Sequence, residues 1–464
     1  MSDTPTLPGR SRVVNTQGYL PDFWTGRSAI FFANLLSMFF GNEQESRLLA
    51  REVRGAESYG GRLVPLLGLL FPGGRNVLVL ERRPDAALCA YFGDELDLPL
   101  PEIRVLSHQD YLAVGRALAA GTTGPQPWLD ELRLVPAGFL DGFVTDDTLV
   151  SLAAWLGKRT IATNAGSHRG NNKLLLHQHL ERAGLPVFDT RLAETPAEVA
   201  RAVADLRADG YDRMVVKAPV GASGVGMVTL APGVEPAQAV PAFFFFEGPC
   251  LVQGWMRPGV HGVESVRSPS VQLFLNEDTV YLYDLTEQIL GNESVHHGNE
   301  SPPPYTEAYP GLLAELFRQA GAASTWLHDQ GYRGTASVDF LVTVRADPAD
   351  WQVYVCEINA RVTGATYPSV LARHYRPQGA WLMRNLQLAT PLAGDTVLGL
   401  IRAHADLFQP TKARGVLPIN FNTNADNLVE KGQFLCLGDS SEECRDMLRR
   451  VEVDLPIDWE YVRD

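Results

Sequence analysis

Short apolar runs separated by helix-period segments open the chain. Residues 29–33 and 76–80 have the composition of fully buried strands, with a shorter strand at 103–106. Between them, 43–53 and 110–120 carry apolar positions at helical spacing. This alternation predicts a small open α/β domain with a parallel sheet. Residues 1–27 read as an irregular lead-in from which Tyr19, Phe23 and Trp24 can dock on the body.

The pattern then shifts towards hairpins. Helices are expected at 148–156, 171–183 and 196–209, and a short strand at 160–164. The second of these helices stops at Gly184 with Pro186 beyond, and the third runs from Thr195 as N-cap to Gly210. Residues 213–217 and 227–230 predict two strands joined by a glycine loop at 221–226. Residues 249–255 predict another strand, and 271–275 with 280–284 an antiparallel pair. Residues 305–331 are mainly helical in pattern, 337–344 and 351–358 strand-like, and Phe243 to Phe246 a piece of core. A helix is expected after Tyr375, leading into an α+β tail with one more glycine-marked strand pair.

The bulk numbers narrow the class. A chain of 464 residues suggests two to four domains, and 45% hydrophobic with 20% charged residues is ordinary globular composition. A net charge of −14 argues against capture of nucleic acid by a broad basic surface. The longest apolar runs, 29–40 and 64–71, are too short to span a membrane. The polar, Pro-containing amino terminus shows no secretory pattern. The 5 cysteines include no C-x-x-C pair and no zinc spacing, and read as reduced, mostly buried residues of a cytoplasmic protein.

The chemistry concentrates late in the chain. In Val353-Tyr-Val-Cys-Glu-Ile-Asn-Ala-Arg361, a strand ends with Glu357, Asn359 and Arg361 at alternate positions, which lie on one face. A carboxylate and a carboxamide so placed can hold a hard cation, and a neighbouring guanidinium can neutralise developing negative charge. The plainer reading is an edge strand with a solvated polar face. Asp339, inside an apolar strand, sharpens the choice. If the two strands form a hairpin, Asp339 and Glu357 oppose each other, and opposed carboxylates repel unless a divalent cation lies between them.

Upstream, Lys217 ends a Val-Val strand just before the loop carrying Gly221, Ser223, Gly224 and Gly226. A strand-end lysine can hold phosphate as a point charge, and glycines permit close backbone approach to an anion. The alternatives are a surface lysine and a plain flexible hairpin. Lys173 starts a helix, where anions are favoured, or is a solvated lysine. The segment Gln253-Gly254-Trp255-Met256 leaves a strand and can offer backbone groups to an adenine edge while Trp255 or Met256 packs on the ring. It is also what a strand end with core aromatics looks like. No G-x-G-x-x-G follows a strand and no G-x-x-x-x-G-K-[ST] occurs, which argues against a nicotinamide site and a Walker-type NTPase.

Taken in order, Lys173, Lys217, the glycine loop, the 253–256 hinge, Asp339 and Glu357-Ile-Asn359-Ala-Arg361 resemble the ATP-grasp superfamily over residues 30–395. The resemblance implies an α/β and α+β multidomain fold. Residues 1–28 would be a lead-in, 29–160 a pre-ATP-grasp domain with an open parallel sheet, 161–395 the ATP-grasp domain with ATP between two subdomains, and 396–464 a small α+β extension. It also implies ATP held by Lys173, Lys217 and the glycine loop. Two Mg²⁺ ions, with Mn²⁺ as a substitute, would sit on Asp339, Glu357 and Asn359, and Arg361 would stabilise the intermediate. Thr286-Glu-Gln-Ile-Leu290 leading to His297-Gly-Asn299, and the tail from Gly415-Val-Leu-Pro418 to Gly438-Asp-Ser440, look most like the pheganomycin-type peptide ligases. Such enzymes make an amide through an acyl phosphate from a small carboxylate and an amino-acid or peptide amine, releasing ADP. Related ligases are often dimers, and no exposed apolar stripe decides that here.

Many relatives carry glutamate where this chain has Gln253, which puts a side-chain adenine contact in doubt. Glu264 is the nearest candidate for a ribose-binding acid. His296, His297 and Glu287 are candidates for the base. Arg373, Arg402 and His404 either read a substrate carboxylate or decorate helices. An ATP-grasp kinase or carboxylase, and a nucleotide-binding regulator without turnover, are the competing expectations.

Overall fold

Three sheets organise the protein. The computed structural model describes residues 11–52, 55–122, 127–222, 224–291, 295–404 and 406–459. The amino-terminal sheet is all parallel, in the order Glu102–Val105, Val77–Leu80, Ala29–Phe32, Phe139–Gly142, Arg159–Thr160. Its two central strands are buried along their whole length, as continuous apolar runs require when both faces are covered. The helices around it are capped by their own sequence: the Ser107 side chain accepts from Asp110 N, and that of Asp146 from Leu149 N.

The second sheet is antiparallel, in the order Thr190–Ala193, Cys250–Gly254, Met214–Ala222, Val225–Leu230. The helix Pro196–Ala208 buries Val199, Ala202, Val203 and Leu206 against it. The third sheet has ten strands. At its centre for function is the antiparallel pair Gly334–Val344 and Trp351–Asn359. The first of these also pairs with Pro269–Leu275, which pairs in turn with Thr279–Gly291. The helix Leu312–Asp329 covers one face.

Several expectations are corrected. Residues 12–15 of the lead-in form a strand parallel to Thr279–Leu282, with Phe23 and Trp24 buried and Tyr19 exposed. The strand expected at 160–164 ends at Thr160, because Thr163 instead caps a helix, Asn164–Gly170. The helix expected after Tyr375 lies before it, at Thr366–Tyr375, and Ala380–Leu392 is a long buried strand. The glycine loop is tighter than expected, since the strands reach Ala222 and resume at Val225. Phe244 is core while Phe246 is exposed. The tail strands Gly415–Thr423 and Val429–Gly438 continue the large sheet from Ala380–Leu392. All five cysteines are free; Cys250, Cys436 and Cys444 are buried. No helix among the described residues is long and apolar enough to cross a membrane.

Candidate functional site

The large sheet presents a polar patch on one face, and register explains it. Glu357 stands opposite Asp339, Asp339 opposite Ser270, and Ser270 opposite Thr286. One step along, Asn359, Ser337, Gln272 and Asp284 form a second row. Residues directly opposite, and residues two apart on a strand, share a face. The apolar residues between them point the other way, into the core under the helix Leu312–Asp329. Glu287 falls on that other face, where it accepts from Ser268 N at 2.9 Å and from the Tyr305 hydroxyl. This removes it as a base for chemistry on the polar face.

Asp339 Oδ1 accepts from Ser270 Oγ at 2.6 Å and from Ser337 Oγ at 3.3 Å. Asn359 Nδ2 donates to Asp339 Oδ2 at 2.9 Å and to Glu357 Oε1 at 3.3 Å. Burial and the facing Glu357 push the Asp339 carboxyl above its usual range. Glu357, although desolvated, is held below its usual range by Lys173 and Arg361. Lys173 Nζ is 3.0 Å from Glu357 Oε2 and donates to Gly221 O at 3.1 Å. The first residue of the helix Lys173–Arg182 thus spans from the Glu357 carboxylate to the glycine hairpin.

Asn171 is a functional residue the sequence did not signal. Its Oδ1 accepts from Ala360 N at 3.2 Å and from Arg361 Nη1, while its Nδ2 donates to Ser167 O and Ala360 O. It clamps the turn after the strand Trp351–Asn359 and aims the guanidinium. One of two adjacent asparagines at the start of an expected helix gives no hint of that role.

Lys217 lines a narrow cleft together with Lys173, Phe188, Gln253 and Cys356. Its Nζ lies 5.6 Å from the Phe188 ring centroid, and burial pulls its pKa down, opposed by Cys356 and Glu357. The hairpin above holds Gly224 and Gly226 at φ of 82° and 81°, a region that favours glycine. Ser223 lies outside the described residues. At the hinge, Gln253 Nε2 donates to Thr190 Oγ1 at 3.0 Å, and the amides of Gly254 and Trp255 are spent on Asp189 O and Arg213 O. Gly254 makes room for Tyr211, whose ring would lie 2.4 Å from a Cβ there. Met256 packs beside the same ring. Glu264 is exposed, and its amide bonds to Val344 O, five residues along the strand from Asp339. It is not brought to the polar face.

The remaining candidates separate clearly. His296 joins the patch: its Nε2 is 2.7 Å from Asn299 Oδ1, and Asn299 Nδ2 donates to Thr286 Oγ1 at 3.3 Å. Arg373 is spent at the edge of the second row, buried in an ion pair with Asp284 at 2.8 Å and donating to Ser301 Oγ at 2.7 Å. Arg402 pairs with Glu95 and His404 with Asp454.

No family model matches the chain. Solved structures do, across nearly its whole length. N5-carboxyaminoimidazole synthetase from Staphylococcus aureus, complexed with ADP, superposes with a TM-score of 0.55 at 13% identity, covering 94% of this chain and 100% of that one. Biotin carboxylase from Campylobacter jejuni gives 0.56 at 14% identity, covering 93% and 92%. L-amino acid ligase from Bacillus licheniformis gives 0.54 at 13% identity, covering 93% and 98%. The chain has the ATP-grasp fold. A curated relative, [Butirosin acyl-carrier protein]--L-glutamate ligase from Niallia circulans, is 25% identical over 206 residues. That match takes in 42% of this chain and 44% of the relative, less than half of either.

Proposed function

We propose that this protein is an ATP-dependent carboxylate–amine ligase that forms an amide through an acyl phosphate and releases ADP and phosphate. The observation that carries the reading is the opposition of Asp339 and Glu357 under Asn359, with Arg361 held beside them and Lys173 bridging to the glycine hairpin. Two carboxylates and a carboxamide suit Mg²⁺, which takes one or two carboxylates and completes its shell with water and phosphate oxygens. The raised Asp339 carboxyl fits as well, since burial and the facing Glu357 carboxylate outweigh the serine donors and Arg361 that favour its charge. When bound there, Mg²⁺ supplies charge neutralisation for the β- and γ-phosphates of ATP.

The chain's own residues do the rest. Lys173 and Lys217 hold phosphate oxygens from the cleft side, and the glycine hairpin closes over them, limiting water. The substrate carboxylate attacks the γ-phosphorus. The amine then attacks the acyl carbon, and phosphate leaves. Arg361 faces the oxyanion of the tetrahedral intermediate. His296, pushed down to about 4 chiefly by burial, is neutral at pH 7 and is a side-chain candidate to take the amine's proton.

The likeness to the two ligases above, an amino-acid ligase and a carrier-protein–glutamate ligase, supports an amino-acid-type substrate in a natural-product setting. A cytoplasmic enzyme and a homodimer accord with this reading. A carboxylase shares the fold, and the amine requirement separates the two. The test incubates the protein with Mg²⁺-ATP and a carboxylate panel, with and without amino acids, short peptides and an acyl-carrier protein. A product of mass acid plus amine minus water, with one ADP per amide, is expected. Formation of AMP and pyrophosphate overturns the acyl-phosphate route.

A further inference from the structure

A buried cation lies beside this site without an acidic partner. Arg62 is 2% exposed. Its guanidinium carbon sits 3.2 Å from the Tyr59 ring centroid and 5.8 Å from that of Tyr367. Its Nε has no hydrogen-bond partner, and among the described residues it makes no ion pair. Burying a charge without an opposite charge is costly, and aromatic faces offset only part of that cost. In a chain of net charge −14, leaving one arginine so is notable.

The fold holds that arginine firmly. Gly60 packs so closely that a Cβ there would meet Leu80 at 2.5 Å, and one at Gly61 would meet Asn420 Oδ1 at 2.3 Å. Asn420 and Asn422, on the tail strand Gly415–Thr423, donate to Ser58 O and Gly55 O. The segment Ala56–Leu63 is therefore pinned between the amino-terminal sheet and the tail.

Its position relative to the chemistry is also defined. Tyr367 feels the charges of both Arg62 and Arg361. Gly364, just after Arg361 in the chain, lies against His296, whose Cε1 is 3.3 Å from a Cβ built there. Arg62 lies against Tyr59 and Tyr367, its charge also reaches His296, and it is not part of the Asp339–Glu357 set. An anion on Arg62 is therefore a second charged group, at the far end of a substrate whose reacting end lies near Arg361.

We infer that Arg62 binds the carboxylate of an amino-acid-type amine acceptor, orienting its amine towards the acyl phosphate. This rests on the ligase reading for the role, but the binding itself is testable without turnover. The planar guanidinium fork suits a carboxylate and has no use for a neutral amide.

The test is calorimetric titration of the full chain, with Mg²⁺ and ADP present, using each standard L-amino acid and the same compound as its primary amide. At least one acid is expected to bind wild type about 10- to 100-fold more tightly than its amide, the range of a hydrogen-bonded charge pair. Arg62→Gln should remove that preference by weakening the acid alone. Arg62→Lys, which keeps the charge, should retain part of it and serves if the glutamine variant does not fold. Equal binding of acid and amide by wild type, or a preference unchanged in the folded variants, overturns the inference, as does an equal loss for both compounds. Absence of amine-dependent ADP release alongside an Arg62-dependent preference would instead sink the ligase reading and leave this site standing.

Discussion

Asp339 and Glu357 face each other across neighbouring strands, and a single amide nitrogen, Asn359 Nδ2, donates to both. The two carboxyls do not share their environment equally. Lys173 and Arg361 stabilise the charge of Glu357, whereas Asp339 has hydroxyl and amide donors and a weaker influence of Arg361. Such a pair costs stability unless a cation lies between the carboxylates.

Asp339→Asn therefore has two expected effects of opposite sign. Removing the repulsion should stabilise the metal-free protein by roughly 1 kcal/mol, a rise of about 2 °C in Tm. It should also abolish the extra stabilisation by Mg²⁺-ATP and lower turnover about 100-fold or more. Melting curves with and without Mg²⁺-ATP check both. A less stable metal-free variant contradicts the account.

Arg361→Ala should reduce amide formation by about 100- to 1000-fold while ATP affinity changes little. A comparable loss of nucleotide affinity would reassign Arg361 to the phosphates. Asn171→Ala should mimic part of this, because it releases the guanidinium and leaves the Ala360 amide and carbonyl without the partner they have now. Its cost in stability is expected at about 2 kcal/mol. Equilibrium unfolding together with kcat measures it.

Lys217→Met tests the cleft. Burial disfavours the charged lysine, so the apolar replacement should leave the free protein as stable or more so. Nucleotide binding should weaken about 10- to 100-fold. Unchanged ATP affinity by calorimetry would place the phosphates elsewhere.

Glu45 gives a pH dependence. Its Oε1 is buried without a hydrogen-bond partner and lies 2.9 Å from a Cβ built on Gly226 of the hairpin. Burial raises its pKa to about 7, against a lowering effect of Lys173 and with a smaller raising effect of Glu247. A folded pKa above the unfolded 4.5 means the folded state binds the proton more tightly. That contribution is fully present below pH 4.5 and is lost as pH rises through about 7. Glu45→Gln should flatten Tm between pH 5 and 8 and raise it at the alkaline end. A slope identical to wild type would assign the dependence to another group.

The sequence alone determined the elements whose pattern is local. The buried runs at 29–33 and 76–80 are strands because continuous apolar stretches cannot be left in water. Lys173 begins its helix because Asn172 caps it. The alternate spacing of Glu357, Asn359 and Arg361 put them on one face, and the short connection from Asp339 made their hairpin legible. Where local signals competed, sequence reading failed. Thr163 could extend a strand or cap a helix, and only packing chose the helix; Ala380–Leu392 became a strand because neighbouring strands were there to pair with it.

What tertiary structure decided is everything that depends on distant partners. Asn171 gains its role from Arg361, Glu45 from the hairpin of another sheet, and Glu287 loses its candidacy because register turns it to the opposite face. Arg373 and Arg62 look alike in sequence, yet one is buried against Asp284 and the other against two tyrosines. A side chain's charge is written in the sequence, but the groups that neutralise it are chosen by the fold.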